Sequence, residues 1–277
     1  MLYTEIRPRL ELARFIECFW ILEGDASSQT ERILPDGCAE LILNFGARFI
    51  EYDDAGNAER QPLNFLVGQI TRPILIAPSG TVQLIGIRFH PGGTFPFFRF
   101  PMHEITNNIV EVGALGHSIE RDLVDRAWDE PSLLQKVTAV ENSLFERARN
   151  CKHDSWIVGL AARIVDHRGR VSVDSLALLA GVTSRQLERR FLQEVGISPK
   201  LLCRILRFQQ IFRAVNENDG RWAVVAADCG YYDQAHLIRD FKLFARQTPV
   251  VFLKQRSALT EAFTRKKRAS LFSNTPA

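Results

Sequence analysis

The chain has 277 residues, 46% apolar and 24% charged, enough for two domains and a packed core and unlike a disordered or collagen-like composition. No apolar run nears the about 18 residues of a membrane span, and "MLYTEIRPRLELARF" sets Glu5 and Glu11 where a secretory leader keeps an apolar core, which excludes membrane and secreted classes and predicts a cytoplasmic protein. The net charge of +3 conceals an asymmetry, because residues 151–277 hold 21 basic and 11 acidic residues whereas 1–150 hold 14 and 21, so the basic half is expected to face a polyanion.

Cys18, Cys38, Cys151, Cys203 and Cys229 are odd in number and scattered, with no C-x-x-C pair. They read as reduced, packed thiols. The first hundred residues carry β signals. In "RILPDGCAELILNFG" a Pro35-Asp36-Gly37 turn precedes an apolar run from Ala39 to Phe45, turn chemistry followed by a strand. Three β-branched runs in "FLVGQITRPILIAPSGTVQLIGIRFHPGG" are separated by Arg72-Pro73, Pro78-Ser79-Gly80 and Pro91-Gly92-Gly93. Short strands broken by frequent turns predict a sandwich or small barrel, with a polar hairpin loop over 50–62. Arg88 and His90 stand two apart at the end of the last run, a spacing that shares one face of a strand. They either enter a lumen as contacts for an anionic or polar effector, or face solvent or acidic neighbours. Asp36, Cys38 and Glu40 also alternate, and the turn explains the aspartate without a function.

From Asn107 the period becomes helical. Ile119, Leu123 and Trp128, then Leu133, Leu134, Val137, Val140 and Leu144, predict two amphipathic helices in a hairpin. Pro131 falls at the favoured first turn of the second. Helices continue from Ser155 to Lys254, and 264–277, with Arg265-Lys266-Lys267-Arg268, reads as a frayed basic tail.

The helical half contains a duplication. "ALLAGVTSRQLERRFLQEVGISP" and "AADCGYYDQAHLIRDFKLFARQTP" place Ala177 and Ala226 four residues before Gly181 and Gly230. Leu187 and Leu237 precede an arginine by two (Arg189, Arg239), a phenylalanine by four (Phe191, Phe241) and a proline by twelve (Pro199, Pro249). Each feature suits a helix-turn-helix. The alanine permits close crossing, the glycine takes positive φ to end the first helix, and Ser184 or Thr183, and Asp233, cap the second. Leu and Phe four apart share the buried face. Opposite them lie Arg185, Arg189 and Leu192 in one copy and Ala235, Arg239 and Lys242 in the other. An outward arginine at matching places in two copies suits a major groove, where Arg pairs with guanine. Arg204, Arg207 and Arg213 on the connecting helix are either phosphate contacts or the wet side of a helix whose apolar side is Leu201, Leu202, Ile205, Phe208 and Phe212.

These motifs, above all the Gly230-to-Lys242 run, resemble the DNA-binding domain of the AraC/XylS family of bacterial transcription regulators over about Ser155 to Leu253. The resemblance implies two helix-turn-helix units joined by a linker helix and seated in successive major grooves. It implies base contacts from Ser184, Arg185, Glu188 and Arg189 in the first unit and Gln234, Ala235, Ile238 and Arg239 in the second, beside Lys242. Ala235 and Ile238 stand where family members often carry polar residues, so the second unit is expected to grip more than it reads. "LPDGCAELILNFG", "VGQITRPILIAPSG" and "GIRFHPGG" are similar to the cupin-like, functionally unassigned N-terminal domain of some such regulators. In that family such a domain senses a small molecule or self-associates.

The expected fold is therefore multidomain α and β: a cupin-like β-barrel over 1–112, a helical hairpin over 113–153 with a dimerisation role, an all-α double helix-turn-helix domain over 154–257 and a basic tail over 258–277. The expected function is sequence-specific regulation of transcription, with double-stranded DNA as partner, a small-molecule effector, and a monomer or homodimer on DNA. The competing reading is an enzyme with a catalytic cupin-like barrel and a helical interaction module. His90, His103 and His117 lack metal-ligand spacing and no nucleophile–base signature appears, so no metal, cofactor or catalytic residue is assigned.

Overall fold

The computed structural model describes residues 1–25, 30–150, 156–217 and 221–254. Its N-terminal part is two antiparallel sheets. The larger contains β1 (Leu2–Ile6), β2 (Ile16–Gly24), β4 (Ala39–Asn44), β7 (Asn64–Val67), β9 (Val82–Phe89) and β10 (Ile109–Glu111), in the order β1-β2-β9-β4-β7-β10. The smaller has β3 (Glu31–Ile33), β5 (Phe49–Tyr52), β6 (Ala58–Arg60) and β8 (Ile74–Pro78), ordered β3-β8-β5-β6.

The strand period of two divides β2 between two cores. Phe19 and Ile21 face one core; Cys18, Trp20 and Leu22 face the other, toward the smaller sheet. Gly86 in β9 pairs with Trp20 in β2, and a Cβ there would fall 1.9 Å from the indole. A bare backbone is thus what lets the Trp20 ring lie flat on the sheet.

The outer face of the larger sheet is covered by short helices α1 (Phe95–Phe98), α2 (His117–Glu120) and α3 (Arg126–Trp128), with a π turn over Arg121–Asp125, and by α4 (Leu133–Arg149). Ile119, Leu123, Val137, Val140 and Leu144 are buried there, but Trp128 is exposed and lies 5.5 Å from the Phe45 ring. Pro131 does not begin α4. Ser132 caps it, accepting from the Gln135 amide, so the capping hydroxyl fixes the start two residues after the proline.

The C-terminal part is helical: α5 (Trp156–Asp166), α6 (Val173–Leu179), α7 (Ser184–Glu194), α8 (Pro199–Glu217), α9 (Trp222–Asp228), α10 (Gln234–Ala245) and α11 (Pro249–Lys254). One apolar core runs through all of them, with Phe208, Phe212, Phe241, Phe244 and Phe252 linked by a chain of ring contacts. Cys18, Cys38, Cys203 and Cys229 are buried and in no disulfide among the described residues, and burial raises Cys18 and Cys203 above the ordinary thiol range. Cys151 and residues 264–277 lie outside the described residues.

Candidate nucleic-acid interface

Two helix pairs, α6–α7 and α9–α10, repeat one local design. Gly181 and Gly230 take φ of 65° and 74°. Behind them the Val182 and Tyr231 amides donate to the carbonyls of Ala177 and Ala226, closing the first helix with a left-handed cap. Thr183, rather than Ser184, caps α7 through a capping box with Gln186, and Asp233 caps α10 by accepting from the His236 amide at 2.6 Å. Leu187, Phe191, Leu237 and Phe241 are fully buried. Thr183→Ala is expected to cost about 1 kcal/mol of stability, read as a lower urea midpoint at unchanged slope.

The opposite faces point outward. Ser184, Arg185, Glu188 and Arg189 are exposed on α7, and Gln234, Ala235, Arg239 and Lys242 on α10. Ile238 differs: it is half-buried and packs against the helical core. The Ser184 hydroxyl donates to Asp174 on α6 at 2.9 Å, so the serine braces the two helices of its unit. Among the described residues no ion pair engages Arg185, Arg189, Arg239 or Lys242, whereas Arg190 is turned inward to the buried Glu194.

The arginines of α8 are engaged within the protein. Arg204 donates from Nη2 to Asp240 Oδ1 at 2.7 Å and from Nε to Oδ2 at 3.4 Å, and that hydrogen-bonded carboxylate raises its pKa further. Arg207 donates to the Gly169 carbonyl at 3.1 Å. Sequence reasoning missed Asp240. Its signal is a carboxylate three residues after Leu237, on the stripe shared with Phe241 and Phe244.

In the β part Arg88 faces the cavity between the two sheets, and His90 does not line it. β9 ends at Phe89; the His90 amide donates to Phe15 and its carbonyl accepts from Gly93, so the chain turns before the two-residue alternation reaches the histidine. Arg88 Nε lies 2.6 Å from Glu40 Oε1 and 3.8 Å from Asp36 Oδ2. Burial works against the Arg88 charge, but Glu40 and Asp36 outweigh it and hold its pKa well above the ordinary value. Burial pushes Glu40 up, against the pull of Arg88. The alternation of Asp36 and Glu40 is the sequence signal of this cluster. Among the described residues no three His, Cys, Asp or Glu side chains gather as a metal site.

The cavity touches the helical domain. Gln209 of α8 lines it and donates to the Pro35 carbonyl. Arg32 also lines it, and its Nη1 donates to the Ala245 carbonyl at the end of α10 at 3.1 Å. Leu34 is buried in the helical core, and a Cβ on Gly37 would meet Leu202 at 2.9 Å. A third link joins the first unit, where Thr106 donates to the Gly196 carbonyl at 2.7 Å.

Tandem helix-turn-helix units on a shared linker helix, beside an antiparallel β domain, define a DNA-binding transcription regulator. Residues 176–255 match the family described as "Helix-turn-helix domain", a domain of AraC type, and residues 4–111 match "Domain of unknown function (DUF6597)". No curated protein matches the chain. Among solved structures, ToxT from Vibrio cholerae is 9% identical with a TM-score of 0.44, covering 84% of this chain and 98% of its own. Wild-type ToxT bound to an unsaturated fatty acid is 10% identical with a TM-score of 0.44, covering 85% of this chain and 94% of its own. The AraC-like transcriptional activator CuxR is 10% identical with a TM-score of 0.32, covering 81% of this chain and 91% of its own. No helix among the described residues is long and apolar enough to cross a membrane.

Proposed function

We propose that α7 and α10 enter successive major grooves, about 34 Å apart along one face of the duplex, and that an effector in the β cavity sets their occupancy. The observation that carries the reading is the paired outward face: Arg185 and Arg189 on α7, Arg239 and Lys242 on α10, all exposed and all clear of internal ion pairs among the described residues. Arg185 and Arg189 have the reach for guanine edges, with Glu188 between them as an acceptor for cytosine amino groups. Gln234 suits adenine and Ala235 a thymine methyl. With Ile238 half-buried against the core, the second unit mainly positions the protein on phosphates through Arg239 and Lys242. On this reading the protein works in the bacterial cytoplasm, where the chromosome is.

The effector reading rests on shared residues. Arg32 and Gln209 line the cavity and also hold the helical domain, so a ligand that moves either one binds the two domain arrangements with different affinity, as a regulatory ligand must. The test of DNA binding uses the full chain. Affinity for random duplex should fall steeply with salt, with a slope of about −0.9 per phosphate neutralised, and on a site selected from a genomic pool hydroxyl-radical footprinting should show protection over two successive turns of one face. Salt-insensitive binding, or protection confined to one turn, contradicts the two-groove arrangement.

A further inference from the structure

The cavity between the sheets has apolar walls, including Trp20, Ile42, Phe49, Phe65, Ile76 and Leu84, and a charged floor of Arg88, Glu40 and Asp36. Which charge a ligand meets is decided by depth. Arg88 keeps 8% of its side-chain surface, against 19% for Glu40 and 23% for Asp36. The guanidinium is less exposed than either carboxylate and is bonded to Glu40 at 2.6 Å, and Glu17 adds a third negative group to its surroundings. The other lining charges, Glu31 and Arg32, are opposite in sign, and Arg32 is turned to the Ala245 carbonyl. An anion entering here would have to displace carboxylates from Arg88. A cation meets carboxylate oxygens already held in place, in a setting where apolar walls keep water from screening the attraction.

We propose that this cavity takes a hydrophobic organic cation, an amine or amidine on an apolar body, with its charged end on Glu40 and Asp36 and its body along Phe49, Phe65 and Ile76. The inference rests on the effector reading above and supplies its ligand class. Charge-assisted hydrogen bonds from an ammonium or amidinium to Glu40 and Asp36 fix orientation, and the apolar walls contribute affinity in proportion to the surface they cover. Because Glu40 neighbours Arg88 in the β4–β9 ladder and Gln209 reaches the same cavity from α8, the ligand would sit within reach of the residues that join the two domains.

The test is calorimetric titration of the full chain with a matched pair of probes, 2-(1-naphthyl)ethylamine and 1-naphthaleneacetate. The amine should bind at least about tenfold more tightly, the selectivity of one net charge-assisted contact of about 1.4 kcal/mol. Glu40→Gln should remove most of that preference and leave the acetate unchanged or improved. Should Glu40→Gln fail to fold, Asp36→Asn carries the same comparison from a more open position. Ile76→Trp, which fills the cavity, should abolish binding of both probes. Equal or tighter binding of the acetate to the unsubstituted protein overturns the ligand class and leaves the effector reading standing. Absence of binding by either probe overturns both.

Discussion

Arg204→Ala should lower the unfolding free energy by about 3 kcal/mol. Asp240 is 2% exposed, on the face of α10 that also carries Phe241 and Phe244. Its carboxylate takes both hydrogen bonds from one guanidinium on α8, which itself stacks 5.6 Å from the Phe244 ring centroid. Removing the guanidinium strands a charge among aromatic rings, and the cost is mainly that of the unpaired carboxylate, near the lower end of the range because Arg204 remains 31% exposed. The double variant Arg204→Met/Asp240→Leu should recover most of the loss, since an apolar pair of similar volume replaces a buried ion pair at little net cost. Urea unfolding of the unsubstituted protein, Arg204→Met, Asp240→Leu and the double variant closes the cycle and measures the coupling. A loss below about 0.5 kcal/mol for Arg204→Ala would mean the pair holds no more than an exposed one does.

Local determinants stand open in the sequence, and partners brought together by the fold do not. The duplication was readable because its determinants are local. Ala177 and Gly181, or Leu187 and Phe191, act within one or two helical turns, and the same offsets recur about fifty residues later. Asp240 was hidden because a helical wheel shows a charge on an apolar stripe without showing the partner, and Arg204 lies on another helix. Arg88 was visible as a strand-end arginine, but its partners depend on the β4–β9 register, Glu40 opposite Arg88. Register is fixed by the whole sheet and not by any short stretch. Likewise the alternation rule joined His90 to Arg88, and the turn closed by the Gly93 amide on the His90 carbonyl broke the alternation one residue too soon. The links from Arg32 to α10 and from Gln209 to Pro35 join distant segments. No periodicity announces them, and they connect the cavity to α8 and α10.

That connection makes the division of labour between the two units testable. On a selected duplex, Arg189→Ala should cost about 1–3 kcal/mol of binding free energy, roughly 5- to 150-fold in affinity, and little on random DNA. The side chain is exposed two residues beyond Leu187 on α7, pointing away from the core that Leu187 and Phe191 enter. Among the described residues its guanidinium has no internal ion pair, so it reaches a base without breaking a contact in the fold. Neighbouring Arg190, folded back on Glu194, serves as the control: Arg190→Lys should shift specificity far less. Arg239→Ala in α10 should behave differently, weakening selected and random duplexes by similar factors and making the salt slope shallower by about one unit. Its helix has Ala235 one turn before it and Ile238 half-buried against the core, which leaves Gln234 as the exposed polar side chain of its first turn. If instead Arg239→Ala acts on the selected site alone while Arg189→Ala weakens both duplexes equally, the second unit does the reading and the first the holding.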